Sequence, residues 1–175
     1  METKLLIKGI QKGDRQCGKK LYEAYAMYVL SICRRYHVDT ELAKDYMQDV
    51  FSKAFTSLHT YDSEKGEFKY WLRRIAINHI LKKKSRKSLL EHSLDVDFIS
   101  VGVEPKSESK MNVQDIMDVL KKMPERYAVV FNLFVIDGYS SKEIGEKLSM
   151  QEGTVRSYVN RGRNWAKANL KKAVI

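Results

Sequence analysis

The hydrophobic positions of this chain recur at helical spacing along most of its length. Between residues 41 and 58, two neighbouring apolar columns repeat every four residues, one from Leu42 to Leu58 and the other from Ala43 to Phe55. Such spacing predicts a helix with a broad apolar stripe. The opposite face is polar and consists of Asp45, Gln48, Asp49 and Ser52. Taken alone, that face fits solvated surface better than a docking site for a protein partner.

Capping residues and a turn mark where the helices of this half begin. Asp14 can cap a helix that continues through KKLYEAYAMYVLSICRRY, and Asp39 or Thr40 can cap the striped helix that follows. The turn YDSEKGE, with Gly66 as its breaker, separates the striped helix from FKYWLRRIAINHILKKKSRK. The latter segment is predicted to form a third helix.

The third helix combines aromatic rings at one end with cations at the other. Its predicted core positions are Phe68, Leu72, Ile75 and Ile80. One surface line holds Trp71, Arg74, Asn78 and Lys82, with Tyr70, Arg73 and Ile77 beside it, and the segment ends in Lys82, Lys83, Lys84, Arg86 and Lys87. Rings stack on unpaired bases and cations neutralise phosphates, so this surface fits a single strand or an opened duplex. The equally open alternative is that the rings are core and the lysines form a solvated helix end.

A short helix, a tight turn and a second helix are predicted between residues 140 and 163. Ser140 or Ser141 can cap the short helix, Gly145 falls where the two helices approach closely, and Ser149 occupies a turn position that often holds Gly. Inward positions are Ile144, Leu148, Val155 and Val159, and outward positions are Arg156, Ser157, Tyr158 and Arg161. This layout is typical of a helix-turn-helix that contacts the major groove, and the alternative is an ordinary helical hairpin.

Composition and charge favour two small helical domains. The 175 residues include only 2 Pro and 9 Gly, which favours helices over strands, and the 43% of hydrophobic residues can support a core. The net charge of +10 divides into +9 over residues 1–90, −4 over 91–108 and +5 over 109–175. The acidic segment lacks helical periodicity, so it is either a flexible linker or a solvated surface loop. The predicted fold is all-α, with helical domains at 1–90 and 109–175 joined by an acidic linker.

Charge, cysteine spacing, apolar runs and carboxylate positions each restrict the possible functions. A strongly basic chain suits a polyanionic partner, either nucleic acid or an anionic membrane surface. Cys17 and Cys33 lack metal-ligand spacing with the 4 His, so we expect free thiols, no metal and no cofactor. The longest apolar run, Ala24 to Ile32, is too short to span a bilayer, which predicts a cytoplasmic protein. Scattered carboxylates argue against an enzyme acting on nucleic acid, such as a nuclease, and no small-molecule substrate is expected.

Three segments resemble a known family and occur in its order. DYMQDVFSKAF (45–55) resembles the core-polymerase-binding motif of bacterial sigma factors, and FKYWLRRIAINHILKKKSRK resembles their promoter-melting and minus-ten-recognition segment. LKKMPERYAVVFNLFVIDGYSSKEIGEKLSMQEGTVRSYVNRGRNWAKANL (120–170) resembles the minus-thirty-five-binding domain. The length and two-domain layout are similar to the extracytoplasmic-function (ECF) group. One departure is Cys17-Gly18, where the family usually has an aromatic residue.

The resemblance implies a sigma factor that directs core RNA polymerase to promoter DNA and catalyses nothing itself. The implied polymerase-binding residues are Asp45, Gln48 and Asp49. The implied minus-ten DNA-binding residues are Tyr70, Trp71, Arg73, Arg74, Asn78, Lys82, Lys83, Lys84 and Arg86. The implied minus-thirty-five DNA-binding residues are Lys142, Thr154, Arg156, Ser157, Tyr158, Arg161 and Arg163. We expect Arg156 to read bases and Arg161 to clamp a phosphate.

Further expectations follow from the resemblance. The loop Ser63 to Glu67 is placed near a base flipped out of the minus-ten element, and the acidic linker is placed toward the RNA exit path. An anti-sigma factor, often membrane-anchored, is expected to cover the polymerase and DNA faces. The rival hypothesis is a helix-turn-helix repressor or activator that binds duplex and ignores polymerase. That hypothesis gives no function to the face of Asp45, Gln48 and Asp49 or to the helix with aromatic and basic ends.

Overall fold

The fold is all-α throughout the residues that can be described. A computed structural model describes residues 2–36, 40–83 and 113–174. Within these ranges the regular elements are α-helices, one 3-10 turn and one π-helical turn, without any strand. The predicted all-α class is therefore confirmed. None of the helices in these ranges combines the length and hydropathy that a bilayer span requires.

The chain separates into two compact units, Met1–Lys83 and Lys84–Ile175, and the described part of each is helical. The predicted domain limits at residues 90 and 109, and the acidic linker between them, lie outside the described residues. Asp39, one of the two predicted caps of the striped helix, also lies outside them. These expectations stay predictions.

The described part of the first unit contains four α-helices. They are α1 (Glu2–Gln11), α2 (Arg15–Tyr36), α3 (Thr40–Thr56) and α4 (Phe68–Lys83), with the 3-10 turn Leu58–Thr60 after α3. The sequence pattern did not predict α1, because a ten-residue segment containing a glycine carries little helical signal of its own. Packing supplies the missing stability, since Ile7 is buried and α1 contacts α2 along its length.

The junction between α1 and α2 confirms the predicted cap and explains the departure at position 17. Oδ1 of Asp14 accepts the backbone N–H groups of Gln16 at 2.8 Å and Cys17 at 3.3 Å, as a helix cap does. A Cβ on Gly9 would lie only 2.4 Å from Sγ of Cys17. The small thiol therefore packs directly on the α1 backbone in place of a ring. Cys17 and Cys33 are both free, as predicted, and burial raises the pKa of the Cys33 thiol to about 12.

The core of the first unit is formed by α2, α3 and α4. Val50 and Leu72 are buried as the pattern predicts. Phe55 and Ile75, also predicted in the core, are only half-buried, and two positions differ more strongly from expectation. Ile77, predicted beside the exposed line, is fully buried, because α4 packs against both α2 and α3 and its buried arc is correspondingly wide. Leu42, predicted in the apolar stripe, is 39% exposed because it lies in the first turn of α3.

The second unit contains a further four α-helices in its described part. They are α5 (Val113–Lys121), α6 (Glu125–Phe131), α7 (Ser141–Leu148) and α8 (Glu152–Val174), and α6 runs into the π-helical turn Asn132–Ile136. One apolar cluster joins α5, α6 and α8 and consists of Val119, Met123, Tyr127, Phe131, Trp165 and Ala166. A Cβ on Gly162 would lie 3.2 Å from the Phe131 side chain, so this glycine permits the close crossing of α6 and α8.

The helix-turn-helix geometry follows the prediction closely. Ser140 caps α7 in a capping box with Glu143, in which each side chain bonds the other residue's backbone N–H. Ser149 ends α7 in the left-handed conformation at φ +52°. A Cβ on Gly145 would lie 2.7 Å from the carbonyl oxygen of Met150, so the turn backbone closes over this glycine. Of the predicted inward positions, Ile144 and Val155 are fully buried.

Candidate protein and nucleic-acid interfaces

The polar face of α3 is exposed, and one of its carboxylates reaches α4. Asp45, Gln48 and Ser52 are exposed, and Asp49 is half-exposed. Oδ2 of Asp49 lies 3.4 Å from Nζ of Lys83 and 3.2 Å from Nε2 of His79. The structure therefore brings a predicted polymerase-binding residue into contact with a predicted DNA-binding residue.

His79 is a buried polar residue that the sequence analysis did not single out. Its side chain is 2% exposed, and Nδ1 contacts Nζ of Lys53 on α3. Nε2 is within ion-pair distance of Asp49 but is not aligned with any acceptor for a hydrogen bond. Burial and the neighbouring Lys53 cation lower the pKa of His79, and Asp49 opposes that shift. The available signal was its spacing, since His79 falls on the buried stripe seven residues after Leu72.

The two neighbouring rings on α4 have different environments. Tyr70 is 50% exposed, with Nζ of Lys69 at 4.9 Å and the guanidinium of Arg73 at 5.6 Å from its ring centre. Trp71 is half-buried, and its ring packs against those of Tyr61 at 5.6 Å and Phe68 at 5.4 Å. The Tyr70 ring is therefore available for stacking on a base, whereas much of Trp71 serves the packing of the loop before α4.

That loop is held by its own hydrogen bonds. Oδ1 of Asp62 accepts the N–H of Glu64 at 2.9 Å, and the hydroxyl of Tyr61 donates to the carbonyl of Gly66 at 3.1 Å. Gly66 has φ +148°, a conformation that side-chain-bearing residues rarely adopt. The segment Ser63 to Glu67, predicted to lie near a flipped base, therefore has a defined conformation where it leads into α4.

The basic part of α4 is exposed where it is described. Arg74, Asn78, Lys82 and Lys83 are exposed and Arg73 is half-buried. Lys84 and Arg86, which complete the predicted minus-ten set, lie outside the described residues. The line of Arg74, Asn78 and Lys82 is therefore on the surface, next to the exposed ring of Tyr70.

Most of the predicted duplex-contacting residues lie on the surface of the second unit. Lys142 on α7 is exposed, as are Thr154, Arg156, Ser157, Arg161 and Arg163 on α8. Tyr158 differs from its predicted outward position. It is half-buried, and its ring packs edge-to-face on that of Tyr127 at 5.5 Å, because it lies next to the apolar cluster of α5, α6 and α8.

The three arginines of α8 are held in different ways. Nη2 of Arg156 donates to Oε1 of Glu152 at 2.6 Å, yet the Arg156 side chain remains 70% exposed. Nη1 of Arg161 donates to the hydroxyl of Tyr127 at 3.2 Å, and this bond raises the pKa of the guanidinium further. The guanidinium of Arg163 lies 5.2 Å from the ring centre of Phe134. Arg161 is thus anchored to α6, while Arg156 pairs within its own helix.

Two family models match this chain in sequence order. Residues 21–89 match Sigma-70 region 2, and residues 114–165 match Sigma-70, region 4. These matches contain α3, α4 and the helix-turn-helix. The chain belongs to the sigma-70 family of transcription initiation factors, and its relatives place it in the ECF group.

Individual relatives align over nearly the whole chain. The ECF RNA polymerase sigma factor SigW of Bacillus subtilis is 28% identical, with 98% of each chain covered. The ECF RNA polymerase sigma-E factor of Escherichia coli K12 is also 28% identical, over 93% of this chain and 91% of that protein.

Two solved structures share the fold. The sigma factor RpoE of Bartonella quintana, crystallised with the anti-sigma factor NepR, has a TM-score of 0.53 at 21% identity, covering 87% of this chain and 96% of that one. CnrH, solved with the cytosolic domain of CnrY, has a TM-score of 0.53 at 20% identity, with 98% of each chain covered.

Proposed function

We propose that this sigma factor binds core RNA polymerase through the polar face of α3, recognises minus-thirty-five duplex with α7 and α8, and stabilises melted minus-ten DNA with α4. The observation that carries the proposal is the presence of regions 2 and 4 in one chain, in that order. A plain helix-turn-helix regulator requires only the second of these regions.

The polar face of α3 fits a docking site for a protein partner better than it fits plain solvated surface, the interpretation that its composition alone favoured. Asp45, Gln48 and Asp49 share one exposed or half-exposed face, and they lie within the matched region 2. Two carboxylates and an amide on one helix present acceptors to a cationic partner surface. Because the residues are on the surface, they can be changed with little effect on the fold, and binding can be tested separately from stability.

The α4 surface supports the opening of DNA by binding the opened strand. The exposed ring of Tyr70 can stack on an unpaired base, a contact worth roughly 1–3 kcal/mol. Arg74, Asn78 and Lys82 lie beyond it and can bind the adjoining sugar-phosphate backbone. Binding energy that exists only for the opened strand shifts the promoter toward the open state. The protein acts by this binding and catalyses no reaction of its own.

The helix-turn-helix supports recognition of the duplex upstream. Thr154, Arg156 and Ser157 are exposed near the amino-terminal end of α8, the part of a recognition helix that reaches base edges. Lys142, Arg161 and Arg163 supply cations around it for phosphates. A good bidentate base contact contributes about 1–3 kcal/mol of discrimination, so a few residues are enough to select a sequence.

An anti-sigma factor is the natural regulator for such a protein. RpoE and CnrH, which share this fold, were each solved with another protein bound, NepR and the cytosolic domain of CnrY respectively. We infer a partner of this kind here, one that competes with polymerase and DNA. We also expect the protein to act in the cytoplasm, where core polymerase is found.

In vitro transcription with purified core polymerase on a promoter library tests this function. We expect the protein to form a stable complex with core and to select a subset of promoters with paired minus-thirty-five and minus-ten elements. The decisive comparison is with polymerase alone, which lacks that selection. Duplex binding by the protein without any association with core would establish the rival helix-turn-helix regulator instead.

A further inference from the structure

The strongest unassigned feature is the cluster around the buried His79. It connects α3 and α4 through four side chains, namely Asp49, Lys53, His79 and Lys83. An imidazole with 2% exposure, placed between cations and a carboxylate, requires a physical reason, because buried polar groups are destabilising unless they are partnered. None of the proposed DNA or polymerase contacts uses this residue.

The contacts determine which ring nitrogen carries the proton. The ammonium of Lys53 can only donate, so Nδ1 of His79 accepts from it. A neutral imidazole then carries its proton on Nε2, which faces Oδ2 of Asp49 at 3.2 Å. The neutral form is the one that burial favours. Lys53 therefore fixes the tautomer, and the tautomer places the Nε2 proton on the Asp49 side of the ring, within ion-pair distance of the carboxylate but not aligned for a hydrogen bond.

Asp49 also contacts Lys83, the last residue of α4. The same oxygen, Oδ2, lies 3.4 Å from Nζ of Lys83. Both side chains are about half exposed, so this pair alone is weak and easily exchanged for another partner. The buried imidazole is the rigid member of the cluster. Its Nε2 lies 3.2 Å from the carboxylate, which stays open to the surface.

We propose that His79 is a positioning residue that orients Asp49 for core polymerase and sets how strongly Asp49 holds Lys83. The proposal rests on the assignment of Asp49 to the polymerase-binding face. When a cationic group of the polymerase takes the carboxylate, Lys83 is released to bind a DNA phosphate. Polymerase binding and DNA binding then strengthen each other by the same factor, as linkage requires.

A double-mutant cycle on core affinity tests the proposal with the full-length protein. His79→Leu removes the N–H, whereas His79→Gln keeps a donor near the position of Nε2. We expect His79→Leu to weaken core binding about threefold to tenfold, because the polar group that faces the Asp49 carboxylate is lost, and His79→Gln to recover most of that loss. Thermal unfolding of each variant is measured first, and core affinity is then compared at a temperature at which all variants are folded.

The two carboxylates of the same face provide the matched comparison. If His79 acts through Asp49, His79→Leu has no further effect in an Asp49→Asn background, but its effect is retained in an Asp45→Asn background. A merely structural role gives equal losses in both backgrounds and overturns the proposal. Unchanged core affinity for Asp49→Asn itself removes the docking assignment, a failure distinct from that of His79.

The release of Lys83 has a separate readout in a fluorescence assay with single-stranded minus-ten DNA and the free protein. Asp49→Asn and Asp45→Asn each remove one negative charge, so both strengthen binding through the general field. We expect Asp49→Asn to give about a further twofold to fivefold gain, and Lys83→Ala to abolish that difference. Equal gains for the two variants contradict the release of Lys83.

Discussion

At the scale of the residue, Tyr70 and Trp71 show why neighbouring rings have to be assigned separately. Both were predicted on the strand-binding surface. Tyr70 is half-exposed, but Trp71 packs on Tyr61 and Phe68 and stabilises the loop before α4. Periodicity places both rings near one face, and only the packing of the preceding loop distinguishes them. Loss of Trp71 is therefore expected to affect stability as well as binding.

Tyr70 is the cleaner probe of strand stabilisation. We expect Tyr70→Ala to weaken binding to a promoter mismatched across the minus-ten element by roughly 1–3 kcal/mol, because a stacking surface is lost. Tyr70→Phe keeps the ring and is the matched control. The measurement is holoenzyme affinity for the pre-opened promoter, with binding to minus-thirty-five duplex as reference. Parental affinity in the Ala variant would falsify the stacking role.

Ser149 carries backbone strain that glycine relieves. Its φ of +52° places a side-chain-bearing residue in the left-handed region at the end of α7. We expect relief of this strain in Ser149→Gly to raise the free energy of unfolding by about 0.5–1 kcal/mol. The greater entropy that glycine gives the unfolded chain offsets part of that gain. Denaturant titration measures it, with Ser149→Ala as control. A Gly variant less stable than the Ala variant contradicts the strain.

The buried imidazole gives the first unit a pH-dependent stability. Burial and Lys53 lower the pKa of His79 below 6.5, although Asp49 opposes the shift, while Tyr46 and Lys83 are its other polar neighbours. Below pH 6.5 the unfolded chain binds this proton before the folded protein does. The stabilisation is therefore present above pH 6.5 and is lost as the pH falls through the folded pKa.

Comparison with a non-titrating variant isolates this contribution. Between pH 7.5 and pH 5, we expect unfolding free energies measured with urea to fall more for the parent than for His79→Leu. Other titrating groups are common to both proteins and cancel in the difference. An identical pH dependence in the two proteins shows that His79 keeps an ordinary pKa.

At the scale of the element, α8 combines two kinds of arginine. Arg156 pairs with Glu152 within its own helix, and Arg161 is anchored to Tyr127 on α6. A side chain that is free to leave an exposed intrahelical pair can follow a base edge, because such a pair contributes only about 0.3–0.5 kcal/mol. A side chain held by another helix is better suited to a fixed phosphate position.

These arrangements predict different losses. Arg156→Ala should cost about 1–3 kcal/mol on the preferred minus-thirty-five sequence and relax selectivity at one position. Arg161→Ala should weaken binding to all duplexes alike. It should also reduce the salt dependence of affinity by about the amount that one phosphate contact contributes. Binding to a library of minus-thirty-five duplexes at two salt concentrations separates the two. The reverse pattern would mean that the roles of the two arginines are exchanged.

The helices were predictable where periodicity and capping agree. Asp14, Ser140 and the inward Val155 and Val159 occupy the places that local pattern assigns. Ile77 and Tyr158 did not follow the prediction, because each lies at the margin of a face whose width depends on how many helices pack against it. Periodicity gives the direction of a face but not its width. The contact of Asp49 with Lys83 was missed for a related reason, since it depends on the crossing of α3 and α4.

At the scale of the whole molecule, the proposed polymerase-binding face of α3 can be tested without disturbing the fold. Asp45 and Gln48 are exposed and lie outside the His79 cluster. We expect the double variant Asp45→Ala, Gln48→Ala to weaken association with core polymerase while changing stability by no more than about 0.5 kcal/mol. Pull-down with core measures the first effect and thermal unfolding the second.

A matched surface change controls for nonspecific effects on association. Lys19 and Glu23 form an exposed pair on α2, with Nζ and Oε1 3.9 Å apart, so the double change Lys19→Ala, Glu23→Ala alters two surface residues without changing net charge. We expect that variant to retain core affinity. If the α3 variant also binds core like the parent, polymerase is bound by another face.

The contact between Asp49 and Lys83 has a consequence for genetics. Two residues assigned to different partners share one ion pair, so mutations at either position will show epistasis between polymerase-binding and promoter phenotypes. A Lys83 defect is then expected to cancel the specific gain in DNA binding that a change at Asp49 gives, although Asp49 lies on a helix that contacts no DNA in our proposal. A genetic screen that maps interfaces would therefore assign both residues to one site. Core binding and DNA binding have to be measured separately to assign each residue to its partner.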